Sequence, residues 1–110
     1  MNMDMNKYQN SAVKTAIYPE EYKIMYPALG LVGEAGEVAN KVKKVFRDGV
    51  DNMPKDWREN IASEIGDVMW YCAALAADLG FDLDSIANEN LEKLSARKIE
   101  NKIKGSGDKR

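Results

Sequence analysis

Histidine is absent from the 110 residues of this chain, and cysteine occurs only once, as Cys72. Without histidine, the chain can form neither a serine–histidine–aspartate triad nor a histidine-containing zinc site. A single cysteine allows neither an internal disulfide nor a thiolate zinc site. Because Cys72 lies in an apolar run, we expect a buried structural residue rather than a reactive thiol. Any catalysis must therefore rest on carboxylates, lysines, arginines, hydroxyls or a hard metal ion.

Long apolar segments and a basic charge balance are also missing. The most apolar run, residues 68–77, is too short and too rich in alanine to span a membrane. The polar residues 1–7 lack the apolar region of a secretory signal, so we expect a cytoplasmic protein that has no membrane partner. A net charge of −2 argues against a nucleic-acid partner, since such a partner favours a basic surface.

Apolar residues recur at steps of three and four along most of the chain, which is typical of helices packed through one face. The pattern predicts helices over residues 5–17, 28–47 and 57–79, and a fourth that begins at Asp82 or Asp84 and ends at about residue 102. Between Pro19 and Pro27, residues 18–26 predict a short turn or a bent helical piece. The sequence thus predicts an all-α bundle of four to five helices. We expect one domain over residues 1–104 and a flexible tail over residues 105–110.

The third predicted helix is apolar on more than one side. Its expected core stripe comprises Ile61, Ile65, Val68, Cys72, Leu75 and Leu79. Trp70 and several alanines add apolar surface on other sides. The expected buried side of the fourth helix comprises Leu83, Ile86, Leu91 and Leu94. Since a helix that is apolar nearly all round needs cover on several faces, and a short chain buries a limited core, we expect oligomerisation to complete the bundle.

Two short acidic segments echo each other. In each, two carboxylates lie three residues apart and so share a helix face: Glu34 with Glu37 in the second helix, and Glu64 with Asp67 in the third. A glycine directly precedes the second acid of each pair. Glycine inside a helix costs about 1 kcal/mol relative to alanine. Its repetition suggests that another backbone or a ligand approaches closely at these points.

Four carboxylates in one cleft repel one another unless a cation binds between them. If the second and third helices pack antiparallel, the two acidic pairs can face each other. All-oxygen ligation suits Mg²⁺, Mn²⁺ or Ca²⁺, and Mg²⁺ typically shares its shell with waters and substrate phosphates. The pattern therefore predicts a Mg²⁺ site, at which Mn²⁺ can substitute. The alternative is a pair of solvated helix faces with ordinary ion pairs, such as Glu37 with Lys41 four residues later.

Basic residues form two groups. On the fourth helix, Asn90, Lys93 and Arg97 are spaced by three and four, so an amide and two cations share a face that can bind phosphate oxygens. The alternative is an ordinary solvated face. Lys44 belongs to a second group of cations at the end of the second helix, which can reach phosphates or stabilise the helix C-terminus.

These segments resemble the MazG-like nucleotide pyrophosphohydrolases. The resemblance covers about residues 8–98, and it is carried by residues 29–38 (LGLVGEAGEV), 43–49 (KKVFRDG), 64–68 (EIGDV) and 90–97 (NLEKLSAR). The family's metal pattern, Glu-x-x-Glu followed by Glu-x-x-Asp, matches at Glu34, Glu37, Glu64 and Asp67. The size of the chain is also similar to that of phage-encoded members.

The resemblance implies an all-α fold and Mg²⁺-dependent hydrolysis of a nucleoside triphosphate, dNTPs above all, to monophosphate and pyrophosphate. It also implies a homodimer or tetramer with active sites near helix interfaces. In this interpretation Glu34 and Glu37 are the candidate general bases. The candidate substrate-binding residues are Lys44, Asn90, Lys93 and Arg97. The candidates for contact with the nucleobase, each of which also has a structural explanation, are Tyr8, Gln9, Trp57 and Trp70.

Three alternatives stay open. One is a relative with a narrower substrate, such as dUTP, dCTP or phosphoribosyl-ATP. The second is a carboxylate-bridged di-iron bundle, which usually uses Glu-x-x-His pairs that this chain cannot supply. The third is a non-catalytic helical interaction protein, against which the intact set of four acids argues.

Overall fold

The computed structural model describes residues 2–99, and the regular structure of this part is entirely helical. Four α-helices follow one another: α1 (Met5–Val13), α2 (Met25–Asp48), α3 (Trp57–Asp78) and α4 (Leu83–Ile99). Short 3-10 turns at Glu20–Tyr22 and Val50–Asn52 lie in the connections on either side of α2. Residues 2–99 contain no strand, so the predicted all-α class is confirmed. None of the described helices is both long enough and apolar enough to cross a bilayer.

The helix boundaries depart from the sequence expectation by a few residues. Helix α1 ends at Val13 instead of residue 17, because the N–H of Thr15 turns back onto the carbonyl of Ala12 in a tight turn (2.9 Å). Helix α2 begins at Met25 instead of residue 28, with Pro27 in its first turn, where a missing N–H leaves no bond unmade. The predicted end of α4 at residue 102 and the predicted tail over residues 105–110 lie outside the described residues.

Helices α2 and α3 run antiparallel. Lys41 late in α2 pairs with Glu64 early in α3, whereas Ile24 just before α2 bonds to Asp78 at the end of α3. Helix α1 packs on α3, and α4 packs on α1. The antiparallel pair is the arrangement on which a shared acidic site depends.

The buried apolar core of the single chain is small and rich in alanine. Ala12 of α1 packs with Ala73 and Ala76 of α3 and with Leu83 of α4. The stripe that we expected in the core of α3 is therefore wrong for a single chain: Ile65 and Leu79 are exposed, and so is Cys72. Alanine side chains let α1 approach α3 closely, so the alanine side of α3 faces inward and the larger side chains face outward.

The expected buried side of α4 is also wrong beyond its first turn. Leu83 is buried, but Ile86, Leu91 and Leu94 are exposed. The reason is that α4 is held to the rest of the bundle at its beginning, where the N–H of Leu83 and the N–H of Asp84 bond to side chains of α1. The outer apolar residues of α4 therefore remain as surface in one chain.

Gln9 is the buried polar residue at the junction of three helices. Its amide nitrogen donates to the carbonyls of Ala73 (3.2 Å) and Phe81 (3.1 Å), and its amide oxygen accepts from the N–H of Leu83 (3.1 Å). Asn6, one turn earlier, accepts from the N–H of Asp84 (2.9 Å). These bonds occupy the polar atoms of Gln9, so its role is structural and not nucleobase contact.

Candidate metal centre

Three of the four predicted acids come together between α2 and α3. Glu34, Glu64 and Asp67 each offer a carboxylate oxygen, and these oxygens lie within 4.8 Å of one another. Glu34 and Glu64 are half-buried, whereas Asp67 is exposed. The spacing of three residues places Glu64 and Asp67 on one face of α3, and the antiparallel packing brings Glu34 of α2 opposite them. The cluster has the geometry of a cation site with all-oxygen donors.

Glu37 does not join this group of three acids. Its side chain is exposed on α2, although it is close enough for its charge to raise the pKa of Glu34 as a lesser cause. The assignment of Glu37 as a fourth ligand or as a base stays a prediction.

Lys41 is the basic partner of the cluster. Its Nζ lies 2.8 Å from Oε1 of Glu64, so this ion pair joins two helices. The alternative interpretation of the sequence had instead paired Lys41 with Glu37 on the same helix. The hydrogen bond from Lys41 lowers the pKa of Glu64, and the same bond raises the pKa of Lys41. One cation therefore offsets part of the charge of this acidic group.

The surroundings of Glu34 disfavour its ionised form. Burial raises the pKa of its carboxyl, and so do a hydrogen bond with Glu64 and the negative charges of Asp67, Glu64 and Glu37. Each of these causes favours the protonated form of Glu34. A divalent cation at this point would oppose them directly, since it stabilises the carboxylate form.

An aromatic pair stands beside the acids. Glu34 and Asp67 line a cavity of about 300 Å³ together with Trp70 and Tyr71, which we call the aromatic wall. The two rings meet edge to face at 5.0 Å, and Nε1 of Trp70 donates to the hydroxyl of Thr15 (2.7 Å). Trp70 was among the predicted nucleobase contacts and Tyr71 was not, although Tyr71 lies four residues after Asp67 and so shares its helix face.

A second cavity lies beside Lys41, the ion-pair partner of Glu64. Its volume is about 270 Å³, and its lining includes Lys41, Lys44 and Trp57. Lys44 and Trp57 were both predicted to contact substrate, and the structure brings them to the same cavity. Arg47, in contrast, turns to its neighbour Asp48, which it contacts at 2.7 Å.

The predicted substrate group on α4 is not part of the lining of either cavity. Asn90 and Lys93 are exposed, and Nζ of Lys93 lies 4.0 Å from Glu89 on the same helix. Arg97 is half-buried on the same helix. Their assignment to substrate stays a prediction.

The glycines that flank the acids do not serve close approach within one chain. A Cβ atom added at Gly33, Gly36 or Gly66 would meet no described atom within 4 Å outside its own helix. The glycine that does need its small size is Gly30, where a Cβ would overlap the ring of Tyr71. Close approach of a ligand or of a second chain at the flanking glycines stays a prediction.

Comparisons with known proteins identify the family of the chain. The family model of the MazG nucleotide pyrophosphohydrolase domain matches residues 26–100, which include all four predicted acids. The Gene 37 protein of Mycobacterium phage L5 is 45% identical over 114 aligned residues, which cover 98% of this chain and 100% of the phage protein. No solved structure matches the chain. The resemblance stated from the sequence is confirmed, and the chain belongs to the MazG nucleotide pyrophosphohydrolase domain family.

Proposed function

We propose that this chain is a Mg²⁺-dependent enzyme that hydrolyses nucleoside triphosphates, dNTPs above all, to nucleoside monophosphate and pyrophosphate. Its role would be to control or cleanse the nucleotide pool. The observation that carries the proposal is the group formed by Glu34, Glu64 and Asp67, whose carboxylate oxygens lie within 4.8 Å of one another beside two cavities. Family membership supplies the reaction class, and the acids supply the chemistry.

The donor set fits a hard divalent cation. Carboxylates from two helices converge, and their mutual repulsion raises the pKa of Glu34, as expected of ligands whose cation is not counted. Glu34, Glu64 and Asp67 would hold Mg²⁺ or Mn²⁺, with Glu37 as the fourth predicted ligand. When bound, the ion would neutralise phosphate oxygens and lower the pKa of a bound water.

Proton transfer from the attacking water falls to a carboxylate. Glu34 and Glu37 are the two candidates, because they lie one helical turn apart on α2 at the edge of the acidic group. Burial and the neighbouring acids raise the pKa of Glu34, so its carboxylate accepts a proton more readily than an isolated glutamate does. Glu37 is more exposed and so has easier access to water.

Substrate binding would use the cavity next to the acids. Lys41 and Lys44 line it on one side and can offset phosphate charge, while Trp57 offers a face to a nucleobase. Asn90, Lys93 and Arg97 would add phosphate contacts from α4 once a homodimer or tetramer brings that helix over an acidic group. The exposed apolar residues of α3 and α4 support such an assembly.

Identification of the reaction products tests this function. We expect a panel of NTPs and dNTPs incubated with the protein and Mg²⁺ to give monophosphate and pyrophosphate in phosphorus NMR spectra, because the acids and the lysines together can span a whole triphosphate. Orthophosphate as the first product would contradict the proposal. Turnover confined to dUTP, dCTP or phosphoribosyl-ATP would identify the narrow-substrate alternative, and no turnover of any nucleotide would favour the non-catalytic one.

A further inference from the structure

Asp78, the last residue of α3, joins two distant parts of the chain through one oxygen. Its Oδ2 accepts a hydrogen bond from the hydroxyl of Tyr18 (2.8 Å) and another from the N–H of Ile24 (2.9 Å). Burial raises the pKa of Tyr18 to about 12, helped by the bond to Asp78, so this hydroxyl stays a donor at neutral pH. Asp78 is half-buried, and it thereby ties the segment before α2 to the end of α3.

The backbone that Asp78 holds is strained. Ile24 has φ 69° and ψ −56°, and it is the one described residue other than glycine with a positive φ. The N–H of Met25 bonds to the carbonyl of Lys23 across it (2.7 Å), which makes a classic γ-turn of the rare, strained kind. A β-branched residue keeps such a conformation only where its surroundings fix it. The bond from the N–H of Ile24 to Asp78 supplies that restraint.

A series of tyrosine side chains connects Asp78 with the acidic group. Tyr18 stacks on Tyr26 in the first turn of α2, with the ring centres 4.9 Å apart. The ring centre of Tyr26 lies 6.3 Å from the ring centre of Tyr71. Tyr71 fills the space over Gly30 and lines the cavity of Glu34 and Asp67. These contacts connect Asp78 with Tyr71 through Tyr18 and Tyr26.

We propose that Asp78 is a positioning residue for the reaction: its carboxylate holds Tyr18 and Ile24, and through the contact of Tyr26 with Tyr71 it fixes the aromatic wall of the cavity that Glu34 and Asp67 line. This inference rests on the proposed function. Since the aromatic wall supplies no ligand to a cation, we expect loss of Asp78 to weaken nucleotide binding at this cavity and to leave the chemical step nearly intact.

The kinetic test compares Asp78→Ala with Asp78→Asn. Asparagine retains an oxygen that can accept both bonds, whereas alanine retains none. We expect Asp78→Ala to raise KM for a turned-over nucleotide about fivefold or more, with kcat within about twofold of the wild type, and Asp78→Asn to restore KM. Asp51→Ala, which removes an exposed aspartate from the 3-10 turn after α2, is the matched control and should leave both constants unchanged.

A second readout does not depend on activity. The amide signal of Gly30 in a ¹⁵N NMR spectrum reports the ring of Tyr71 above it, so it should move in Asp78→Ala and return in Asp78→Asn. Tyr18→Phe, a milder change that removes one of the two bonds, should move it in the same direction. If the Gly30 signal and KM are those of the wild type in a folded Asp78→Ala protein, or if Asp78→Asn is as impaired as Asp78→Ala, the proposal is overturned. Should the wild type turn over no nucleotide, the proposed function fails, while the NMR comparison still decides whether Asp78 positions Tyr71.

Discussion

Glu64 shows, at the scale of the residue, how one carboxylate is placed between opposite influences. Lys41 contacts it at 2.8 Å and lowers its pKa, whereas burial, the hydrogen bond with Glu64 and the neighbouring negative charges raise the pKa of Glu34. A group held ionised beside a group pushed toward protonation is an arrangement that recurs at sites for cations and catalysis. The same ion pair means that Glu64 has a structural partner as well as a proposed metal.

The variant Glu64→Gln separates these two roles. It keeps the shape of the side chain and removes its charge, so we expect turnover to fall about a hundredfold or more through loss of Mg²⁺ binding. In EDTA the unfolding temperature should stay within a few degrees of the wild type, since the lost pairing with Lys41 is offset by weaker repulsion of Glu34. Nucleotide assays and calorimetry measure both.

The control for this variant is Glu59→Gln, an exposed glutamate in the first turn of α3 outside the acidic group. It should retain full activity. If Glu64→Gln is as active as the control, Glu64 is not a ligand of the metal. A large loss of stability in EDTA would instead assign its main role to the ion pair with Lys41.

At the scale of the helices, the junction of α1, α3 and α4 depends on one amide. Gln9 bonds to the carbonyls of Ala73 and Phe81 and to the N–H of Leu83, and so it satisfies backbone groups where α3 ends and α4 begins. A buried group that loses its partner costs about 1–3 kcal/mol, because it gives up water without compensation.

Replacing Gln9 by leucine keeps much of the volume and removes all three bonds. We expect the free energy of unfolding to fall by about 2–4 kcal/mol, since the N–H of Leu83 and the carbonyl of Phe81 lose this partner. Urea unfolding at one fixed protein concentration measures the change. Asn10→Ala, at the exposed neighbouring position of α1, should change it little. Equal stability of the two variants would show that the junction does not depend on Gln9.

At the scale of the whole molecule, the single chain leaves many large apolar side chains exposed. A cavity of about 420 Å³ is lined by apolar residues of α3, among them Ile65 and Met69, and by Met3 and Met5 next to them. Phe46 of α2 and Leu91 of α4 are exposed as well. Apolar patches of this kind normally mark an interface, so the surface supports the proposed oligomer.

Sedimentation tests the oligomer. We expect micromolar wild-type protein to sediment at about twice the 12.3 kDa chain mass or more. Met69→Lys places a charge on the rim of the apolar cavity and should shift the protein toward the monomer. Ser63→Lys, an exposed polar position of α3, is the charge-matched control and should leave the mass unchanged. A wild type that sediments only as single chains would contradict the proposal.

The sequence alone determined the all-α class, the approximate bounds of the helices and the membership of the acids in two pairs. These features are local, because the helical repeat decides which residues of one segment share a face. The spacing of Glu64 and Asp67 therefore predicts their common orientation, and the segments around the four acids carry the family resemblance.

The tertiary structure decided which faces meet. Periodicity does not say that Lys41 pairs with Glu64 across two helices, that the alanine side of α3 faces the core, or that Tyr71 needs a glycine at position 30. It also gives no sign that Asp78 holds Ile24 from the far end of α3. The physical reason is that each of these contacts joins segments far apart in the chain, and only the packing of α2 and α1 against α3 sets their register.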